Sequence, residues 1–320
     1  MNVGRSIGLE YGASTRDIFG ETLEELGKEN SNIVVLDGDV SNSTRTKFFK
    51  KAFPERFFNL GIAESNIVGV ASGLAASGKE VLAASFAAFL LGNAYDQIRM
   101  GVAYPNLNVK LVGSHSGISI GEDGPSQMAI EDLALAASFP NLTVLVPADE
   151  QATRWATRAM FEHEGPVYLR TGRPAVPRIY DDSESFELGK ATQVRQGDAV
   201  TIIACGLMVA AALEAAHTLS QKGIEARVLD MHTVKPVDHT SIEQAARQTG
   251  GIVTAEEHSI AGGLGAAVAQ VVALRHPVPM AFVGVMDTYA ESGDPDDLFA
   301  RYGLSPAHIT QAAERIVAHT

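Results

Sequence analysis

The chain has 320 residues, of which 46% are hydrophobic and 20% are charged, and its formal net charge at pH 7 is −13. This length predicts about two domains, and the composition is typical of a globular protein. The acidic balance disfavours nucleic acids and anionic membranes as partners, because both bind basic surfaces. The single cysteine, Cys205, allows no internal disulfide, no apolar signal core stands near the N-terminus, and no uncharged run is long enough to span a bilayer. We therefore expect a cytoplasmic protein.

In chain order, the first half alternates between strand-like apolar runs and helical patterns. The predicted strands are NIVVLDGDV (32–40), KEVLAASF (79–86), NVKLVGSH (108–115), NLTVLVPAD (141–149) and PVYLRTG (166–172). The predicted helices include RDIFGETLEELGKE (16–29), NAYDQIRMGVAY (93–104), AIEDLALAAS (129–138) and EQATRWATRAMFEH (150–163). Such alternation predicts a mostly parallel sheet with helices on both faces.

A segment rich in proline and charge, at about 172–190, interrupts this alternation, which then restarts. The predicted strands of the second half are AVTIIACG (199–206), EARVLDMH (225–232), GIVTAEEHS (251–259) and MAFVGVMD (280–287). We therefore predict an α/β fold of two domains, residues 1–180 and 190–320, each a mostly parallel sheet flanked by helices.

The stretch FFNLGIAESNIVGVASGLAASG, residues 57–78, contains a single charged side chain, Glu64. From Ile62 onward its apolar residues surround the helix axis, which predicts a helix buried on all sides with Glu64 inside it. Burying an unpaired carboxylate is costly, so we expect Glu64 to be paired or to hold a proton. Buried acids cluster at active sites, which favours a functional Glu64 over a polar break on a solvent-facing side.

Polar and aromatic residues follow several predicted strands at their carboxyl ends, where ligands bind in parallel sheets. They are Asp39, Ser43, Phe86, Phe89, His115, Arg170 and Arg173. Singly, each has a structural explanation, such as a helix cap, a core side chain or a solvated charge. Together with the Gly-rich loop SGISIGEDGPSQ (116–127), they indicate an anion-binding pocket beside a buried acid. The residues alone thus predict an α/β enzyme that acts on a phosphorylated small molecule.

Three motifs of the first half closely resemble the pyrimidine-binding domain of the transketolase family, namely RFFNLGIAESNIVGVASGLAASG, GSHSGISIGEDGPSQMAIED and PNLTVLVPAD. Two motifs of the second half, EEHSIAGGLGAAVA and DTYAESGDPDDLFARYGLSPAHI, resemble the family's C-terminal domain. The resemblance implies a thiamine diphosphate pyrimidine-binding fold followed by a transketolase C-terminal domain. It also implies the transfer of a two-carbon ketol unit from a ketose phosphate to an aldose phosphate, with both sugars left open.

The resemblance implies which residues contact the cofactor. The glutamate at the position of Glu64 hydrogen-bonds a ring nitrogen of the cofactor's aminopyrimidine and so activates the cofactor. Phe86 and Phe89 match aromatic residues that pack on this ring, and Asp39 matches an acid near the cofactor.

The resemblance also implies a set of substrate-binding residues. Arg16 and Arg173 match two phosphate-binding arginines, which pair with phosphate through parallel hydrogen bonds. Ser43 matches a phosphate-contacting serine, His115 matches a histidine that acts on the substrate, and Asp123 matches an acid that binds a sugar hydroxyl.

Two positions depart from the family pattern. Gly92 stands where a third aromatic residue is usual, so we expect that part of the cofactor wall to be built differently. Gln127 stands where a second substrate histidine is expected. An amide donates and accepts hydrogen bonds but cannot shuttle a proton, so we expect donor-sugar recognition to differ at Gln127.

The family's Gly-Asp-Gly…Asn motif, which holds Mg²⁺ and the diphosphate, does not stand in this sequence. The resemblance therefore implies the C-terminal subunit of a split transketolase. An N-terminal subunit would carry the Mg²⁺ and diphosphate site, thiamine diphosphate would bind between the two chains, and the assembly would be α2β2. We assign no metal-binding residue to this chain.

The second domain carries few signals of its own. GGLGAAV after a strand matches a dinucleotide fingerprint only in part, because Val268 replaces its last glycine. We assign this domain no catalytic residue and leave Glu257 and His258 without a role.

Two alternative functions stay open. One is a related thiamine enzyme, such as a deoxyxylulose-phosphate synthase or the β subunit of a 2-oxo acid dehydrogenase. Arg16, Ser43 and Arg173 disfavour the dehydrogenase, which handles unphosphorylated acids. The other is a non-catalytic regulatory subunit that keeps the fold, which the retention of Glu64 and the whole pocket disfavours.

Overall fold

The structure is a computed structural model that describes residues 1–318. The strands are β1 (Tyr11–Ser14), β2 (Ile33–Asp37), β3 (Phe57–Asn59), β4 (Glu80–Phe86), β5 (Val109–Ser114), β6 (Thr143–Leu145), β7 (Val167–Arg170), β8 (Ala175–Pro177), β9 (Thr192–Arg195), β10 (Val200–Ala204), β11 (Ala226–Asp230), β12 (Thr233–Lys235), β13 (Ile252–Ser259) and β14 (Met280–Val285).

The α-helices surround these strands on both sides of each sheet. They are α1 (Thr15–Glu29), α2 (Ser41–Thr44), α3 (Lys47–Ala52), α4 (Glu64–Ala76), α5 (Ala87–Asn93), α6 (Tyr95–Gln97), α7 (Asp132–Ser138), α8 (Glu150–Glu162), α9 (Met208–Ser220), α10 (His239–Gln248), α11 (Leu264–Arg275), α12 (Pro295–Arg301) and α13 (Pro306–Ala318). No helix within residues 1–318 is long and apolar enough to cross a membrane.

Two larger sheets organise the described chain. The first has the strand order β12-β6-β7-β5-β4-β2-β3 and the second the order β14-β13-β10-β11-β9. All neighbouring pairs in them are parallel except β12 with β6 and β9 with β11. The inner strands β2 and β10 are buried along their whole length, as continuous apolar runs in parallel sheets usually are. The predicted α/β fold with two mostly parallel sheets is confirmed.

Two long helices of the first half start at short polar side chains that accept hydrogen bonds from free backbone N–H groups. The Ser14 side chain accepts from the Asp17 N–H at the start of α1, and Asp149 accepts from the Ala152 N–H at the start of α8. Both helices lie where the sequence predicts them.

Three predicted elements are shorter or more irregular than expected. The segment 93–104 forms α6 followed by a π-helical turn, Ile98–Ala103. The segment 129–138 becomes helical only at α7, because Ala129 is paired with Ser116 in an isolated bridge. The segment 141–149 is a strand only over β6.

A strand of the second half completes the first sheet. Strand β12 pairs antiparallel with β6 at the sheet edge, although residues 233–235 lie within the range predicted for the second domain. One hydrophobic cluster also joins both halves, with Leu133 and Phe139 in the same cluster as Leu264 and Val268. The division at 180 and 190 itself stays a prediction.

Candidate active site

Glu64 is the first residue of α4, and the prediction that it lies in the middle of an apolar helix is wrong. Its side chain is buried, with the residue 4% exposed, and Oε1 accepts a hydrogen bond of 2.9 Å from Ser85 Oγ at the end of β4. Within residues 1–318, Oε2 accepts no hydrogen bond, and the capping residue Ala63 offers no side-chain partner. The start of a helix attracts negative charge, so this position suits a carboxylate.

The rest of α4 is buried on one side only, so the expected burial on all sides is wrong for this chain. Ile67, Val68 and Ala71 are buried, whereas a side chain added at Gly69 or Gly73 would meet open space. Ile62, just before the helix, is 80% exposed. Small residues on the exposed side leave an uncovered apolar face beside Glu64.

Three flat rings stack beside the carboxyl end of β4. The Phe86 and Phe89 ring centroids are 6.0 Å apart with planes at 8°, and Phe86 stacks on the His115 imidazole at 4.1 Å and 10°. Gly92 is exposed, and a Cβ atom there would meet no other atom within 4 Å. The predicted aromatic surface therefore forms from two phenylalanines and a histidine.

His115 follows β5 directly and takes a left-handed backbone conformation, with φ 60°. Its Nε2 lies 3.0 Å from Arg16 Nη1, and its Nδ1 lies 2.8 Å from Ser114 Oγ. Because a guanidinium only donates, Nε2 accepts and the ring proton belongs on Nδ1. Burial, helped by the charges of Arg16 and Arg173, lowers the His115 pKa to about 3. The imidazole is therefore neutral at physiological pH.

Asp37, at the end of β2, holds the short helix α2, which carries Ser43. The buried carboxylate accepts hydrogen bonds from the Val40 N–H at 2.7 Å and from the hydroxyls of Thr44 and Thr46 at 2.8 Å each. Burial raises the Asp37 pKa despite these bonds. The bonds fix the turn on which Ser43 lies.

Arg16 brings several predicted residues together. Besides His115, its Nη1 donates to the backbone oxygen of Ser43 at 3.3 Å. The Arg16 Nε atom is buried and has no hydrogen-bond partner within residues 1–318. Burial, and then the charge of nearby Arg45, lowers the Arg16 pKa. A cation with an unpaired donor is thus held close to a neutral imidazole.

Arg173 forms a second cationic position. Its Nη1 donates to the Ile120 carbonyl at 2.8 Å and pairs with Asp123 at 3.2 Å and Glu122 at 3.4 Å. All these partners belong to the loop after β5, so Arg173 and Asp123 meet as neighbours. The Arg173 side chain stays 36% exposed.

Asp39 and Gln127 lie apart from these contacts. The exposed Asp39 accepts a 2.7 Å hydrogen bond from Asn59 Nδ2, and Gln127 Oε1 accepts one of 2.6 Å from Ser126 Oγ. Over residues 1–318, neither these two nor Glu64 makes a hydrogen bond, ion pair or ring contact with another predicted site residue.

Sequence reasoning missed Ser85 and Arg45. Ser85 is the partner of Glu64, and its only sequence signal is its place at the end of a predicted strand. Arg45 carries the charge that, after burial, lowers the Arg16 pKa most, and it is itself paired with Asp17 at 2.5 Å. Within NSTRTKFF, Arg45 resembles an ordinary surface charge, so the sequence gives no reason to select it.

The polar residues singled out in the second domain make hydrogen bonds that hold the fold together. The Glu256 carboxylate accepts from the Leu264 N–H at 2.7 Å and the Gly265 N–H at 2.8 Å, and so occupies the start of α11. This is the place where a dinucleotide fingerprint would bind a phosphate. His258 bridges Ser259 O and the Ala134 N–H. Among residues 1–318, no group of three or more His, Cys, Asp or Glu is arranged to hold a metal ion.

Two family models match the chain: the transketolase pyrimidine-binding domain over residues 12–178 and the transketolase C-terminal domain over residues 189–309. The chain therefore belongs to the transketolase family and corresponds to the C-terminal part of its members. The predicted family is confirmed. The first domain match points to thiamine diphosphate as the cofactor.

The chain is similar to proteins of two lengths. It is 45% identical to a putative transketolase C-terminal section of Methanocaldococcus jannaschii, over 92% of this chain and 93% of that one. It is 44% identical to transketolase-like protein 1 of Bos taurus, and this match covers 95% of this chain but only 51% of that one. Among solved structures, it matches one described as a split gene transketolase, inactive beta4 tetramer, with a TM-score of 0.90, 48% identity and coverage of 96% and 99%. The predicted resemblance to a split transketolase is confirmed by these half-length relatives.

Proposed function

We propose that the chain is the C-terminal subunit of a split transketolase, which transfers a two-carbon ketol unit from a ketose phosphate to an aldose phosphate. The observation that carries the proposal is the buried carboxylate of Glu64, which, among the residues that the structure describes, accepts a bond from Ser85 through one oxygen only. Ser85 and Phe86 are neighbours at the carboxyl end of β4, so the Glu64 carboxylate lies at the end of the strand whose last residue begins the aromatic stack.

The residues present fit the aminopyrimidine of thiamine diphosphate. This group is a flat heteroaromatic ring with nitrogen atoms, so it needs an aromatic surface and a hydrogen-bonding acid. Phe86 and Phe89 supply the surface, and Glu64 supplies a carboxyl group with an oxygen to spare. When bound, the cofactor supplies a carbon nucleophile and an electron sink for carbon–carbon bond cleavage. Glu64 would hold the ring nitrogen and pass a proton at its free oxygen.

We assign the binding of Mg²⁺ and of the cofactor's diphosphate to a second subunit. The cofactor would then lie between the two chains, in an α2β2 assembly. The exposed apolar face of α4, with Gly69, Gly73 and the 80% exposed Ile62, supports a partner close to Glu64. The beta4 relative is described as inactive, which agrees with a C-terminal chain that needs a partner.

The cationic residues favour a phosphorylated substrate. Arg16 keeps a buried Nε–H donor that has no partner in the described part of the chain, and Arg173 is partly exposed. Arginine is well suited to phosphate because its planar fork presents paired donors. Ser43 lies beside Arg16, and the neutral His115 offers a hydrogen-bonding group instead of a third charge. In this arrangement Asp123 and Gln127 would bind sugar hydroxyls, and Asp39 would lie near the cofactor.

Reconstitution tests the proposal. The chain is purified alone and together with an N-terminal transketolase subunit that carries the Gly-Asp-Gly…Asn motif, both with thiamine diphosphate and Mg²⁺. Two-carbon transfer from a ketose phosphate to an aldose phosphate is expected from the pair only. Robust transfer by the single chain would overturn the split arrangement, and no transfer by the pair across a panel of ketose phosphates would overturn the activity.

A further inference from the structure

The loop that carries the substrate residues leaves β5 and returns along the second domain. We call residues 115–127 the substrate loop, because it contains His115, Asp123 and Gln127. The loop has little regular structure apart from the 3-10 turn Gly121–Asp123. A few backbone hydrogen bonds lie within the loop, such as Gln127 N–H to Gly124 O at 3.2 Å, and contacts from outside the loop add to them.

Glu257 of β13 reaches the middle of the substrate loop. Its Oε1 accepts a hydrogen bond of 2.5 Å from the Ser119 N–H, and both residues are buried. A side chain on Gly117, which has φ +75°, would overlap the Glu257 carboxylate. The carboxylate is thus packed directly against the backbone of the substrate loop.

Two further contacts come from the same side. A Cβ atom on Gly124 would overlap the Ser292 hydroxyl, and one on Gly121 would lie 3.2 Å from Gly293 O. Both glycines have positive φ, so the 3-10 turn bearing Asp123 turns tightly against the loop before α12. The tip of the substrate loop therefore rests on the second domain as well.

Glu257 is itself held rigidly. Arg170 Nη2 donates to the Glu257 carbonyl and to the Ala129 carbonyl at 3.0 Å each. The same guanidinium makes a two-point ion pair with Asp132, at 2.8 Å and 3.0 Å. Arg170, Asp132 and Glu257 are all buried, and these bonds hold the backbone of Glu257 in place next to β7.

We propose that Glu257 is a positioning residue for the substrate loop, so that the second domain takes part in substrate recognition without touching the sugar. The hydrogen bond to Ser119 fixes the loop between its two substrate-facing ends, at His115 and at Asp123. Arg173 fixes the opposite side of the loop through the Ile120 carbonyl. This role rests on the proposed function for the identity of the ligand, but the mechanical part concerns this chain alone.

Hydrogen exchange on the full chain tests the mechanical part without cofactor or partner. Glu257→Met removes the acceptor, and we expect exchange of the peptide over 116–127 to accelerate about tenfold, since a buried amide loses its partner. Glu257→Gln keeps an acceptor oxygen and should exchange like wild type. Glu256→Met is the matched control, because Glu256 is an adjacent buried glutamate that caps α11 and does not contact the loop. It should accelerate exchange at the start of α11 only.

Kinetics of the reconstituted pair test the functional part. Glu257→Met should lower kcat/KM for a sugar phosphate about tenfold, mainly through KM, because a misplaced loop weakens substrate orientation. The affinity for thiamine diphosphate should stay within about twofold, since Glu257 does not reach Glu64 or the phenylalanine pair. Glu257→Gln should restore the wild-type KM.

The outcomes distinguish the positioning role of Glu257 from the proposed function of the chain. Unchanged loop exchange in Glu257→Met, or equal loop exchange in Glu257→Met and Glu256→Met, would overturn the positioning role. If Glu257→Met does not fold, Glu257→Asp serves instead, because it keeps the charge but withdraws the carboxylate from Ser119. An inactive wild-type pair together with accelerated loop exchange would refute the proposed function and leave the positioning role standing.

Discussion

Glu64 and Glu256 are both buried glutamates whose carboxylates lie at the start of a helix, Glu64 as the first residue of α4 and Glu256 reaching α11 from β13, yet their surroundings differ. Glu256 accepts two backbone N–H groups with its two oxygens, and so acts as a cap for α11. Glu64 accepts one hydroxyl and keeps the other oxygen free within residues 1–318. The difference extends to the arginines, because Arg170 donates from Nε and Nη2 to buried acceptors, whereas Arg16 keeps a buried Nε that has no partner among the described residues. Unused bonding capacity, rather than burial, distinguishes the candidate site from the domain junction.

Exchanging each glutamate for glutamine should separate activity from stability. Glu64→Gln is expected to lower kcat by ~10²–10⁴-fold, because the amide cannot deliver the proton, while the free energy of unfolding changes by less than about 1 kcal/mol. Glu256→Gln should do the reverse, since its single carbonyl oxygen leaves one N–H unpaired at a cost of about 1–3 kcal/mol. Activity assays and chemical denaturation check the pair. A Glu64→Gln enzyme within a few-fold of wild type would make Glu64 structural.

The unpaired arginine should matter for the phosphate. Arg16→Ala is expected to raise KM for a phosphorylated acceptor by roughly 10–150-fold, which corresponds to the loss of about 1.5–3 kcal/mol for a charged hydrogen bond. An unphosphorylated aldose should be affected far less. Arg158→Ala is the control, because Arg158 pairs with Glu25 and Glu29 at the surface. Equal losses with both acceptors would mean that Arg16 supports the fold or the interface.

Two buried histidines, one inside the candidate site and one outside it, should both make the stability of the protein depend on pH. Burial lowers the pKa of His115 to about 3 and that of His232, which packs on Trp155, to about 4. Each imidazole takes up a proton near pH 6.5 when unfolded, so acid favours the unfolded state. The contribution of each neutral, buried imidazole to the free energy of unfolding is complete above pH 6.5. It is lost as the pH falls toward the folded pKa, by up to about 1.4 kcal/mol per pH unit.

Replacing either histidine by asparagine should therefore flatten the loss of stability between pH 6.5 and 4.5. Unfolding free energies at several pH values measure this effect. Only His115→Asn should also lower kcat/KM, because only His115 contacts Arg16. A comparable kinetic loss in His232→Asn would remove the distinction between the two regions.

The smallest effect is expected at Gln127, whose only side-chain hydrogen bond to another described residue is the one from Ser126. Gln127→His should change the ranking of ketose phosphate donors by a few-fold, since amide and imidazole differ in the hydrogen bonds they offer. The measurement is kcat/KM across a donor panel with the partner subunit present. A uniform shift over the panel would show that Gln127 does not select the donor.

The sequence predicts the regular elements well and the contacts between them poorly. Apolar runs such as IVVLD locate the inner strands, because full burial leaves a continuous signal. The sequence misplaces the start of α4, because Ala63 is not one of the residues that normally cap helices. Likewise, nothing near Ser119 in the sequence indicates Glu257, since the two residues are 138 positions apart. Which of two buried acids keeps a free oxygen depends on such distant partners.

Strand β12 belongs to the second half of the chain but pairs in the first sheet, so the two halves share a sheet. A gene cut within 180–190 would deprive β6 of its edge neighbour and expose a row of unpaired backbone groups, which invites aggregation. The joint cluster around Leu133 and Leu264 would be opened by the same cut. Recombination between relatives would therefore have to carry residues 233–235 and their pairing surface along with the first sheet.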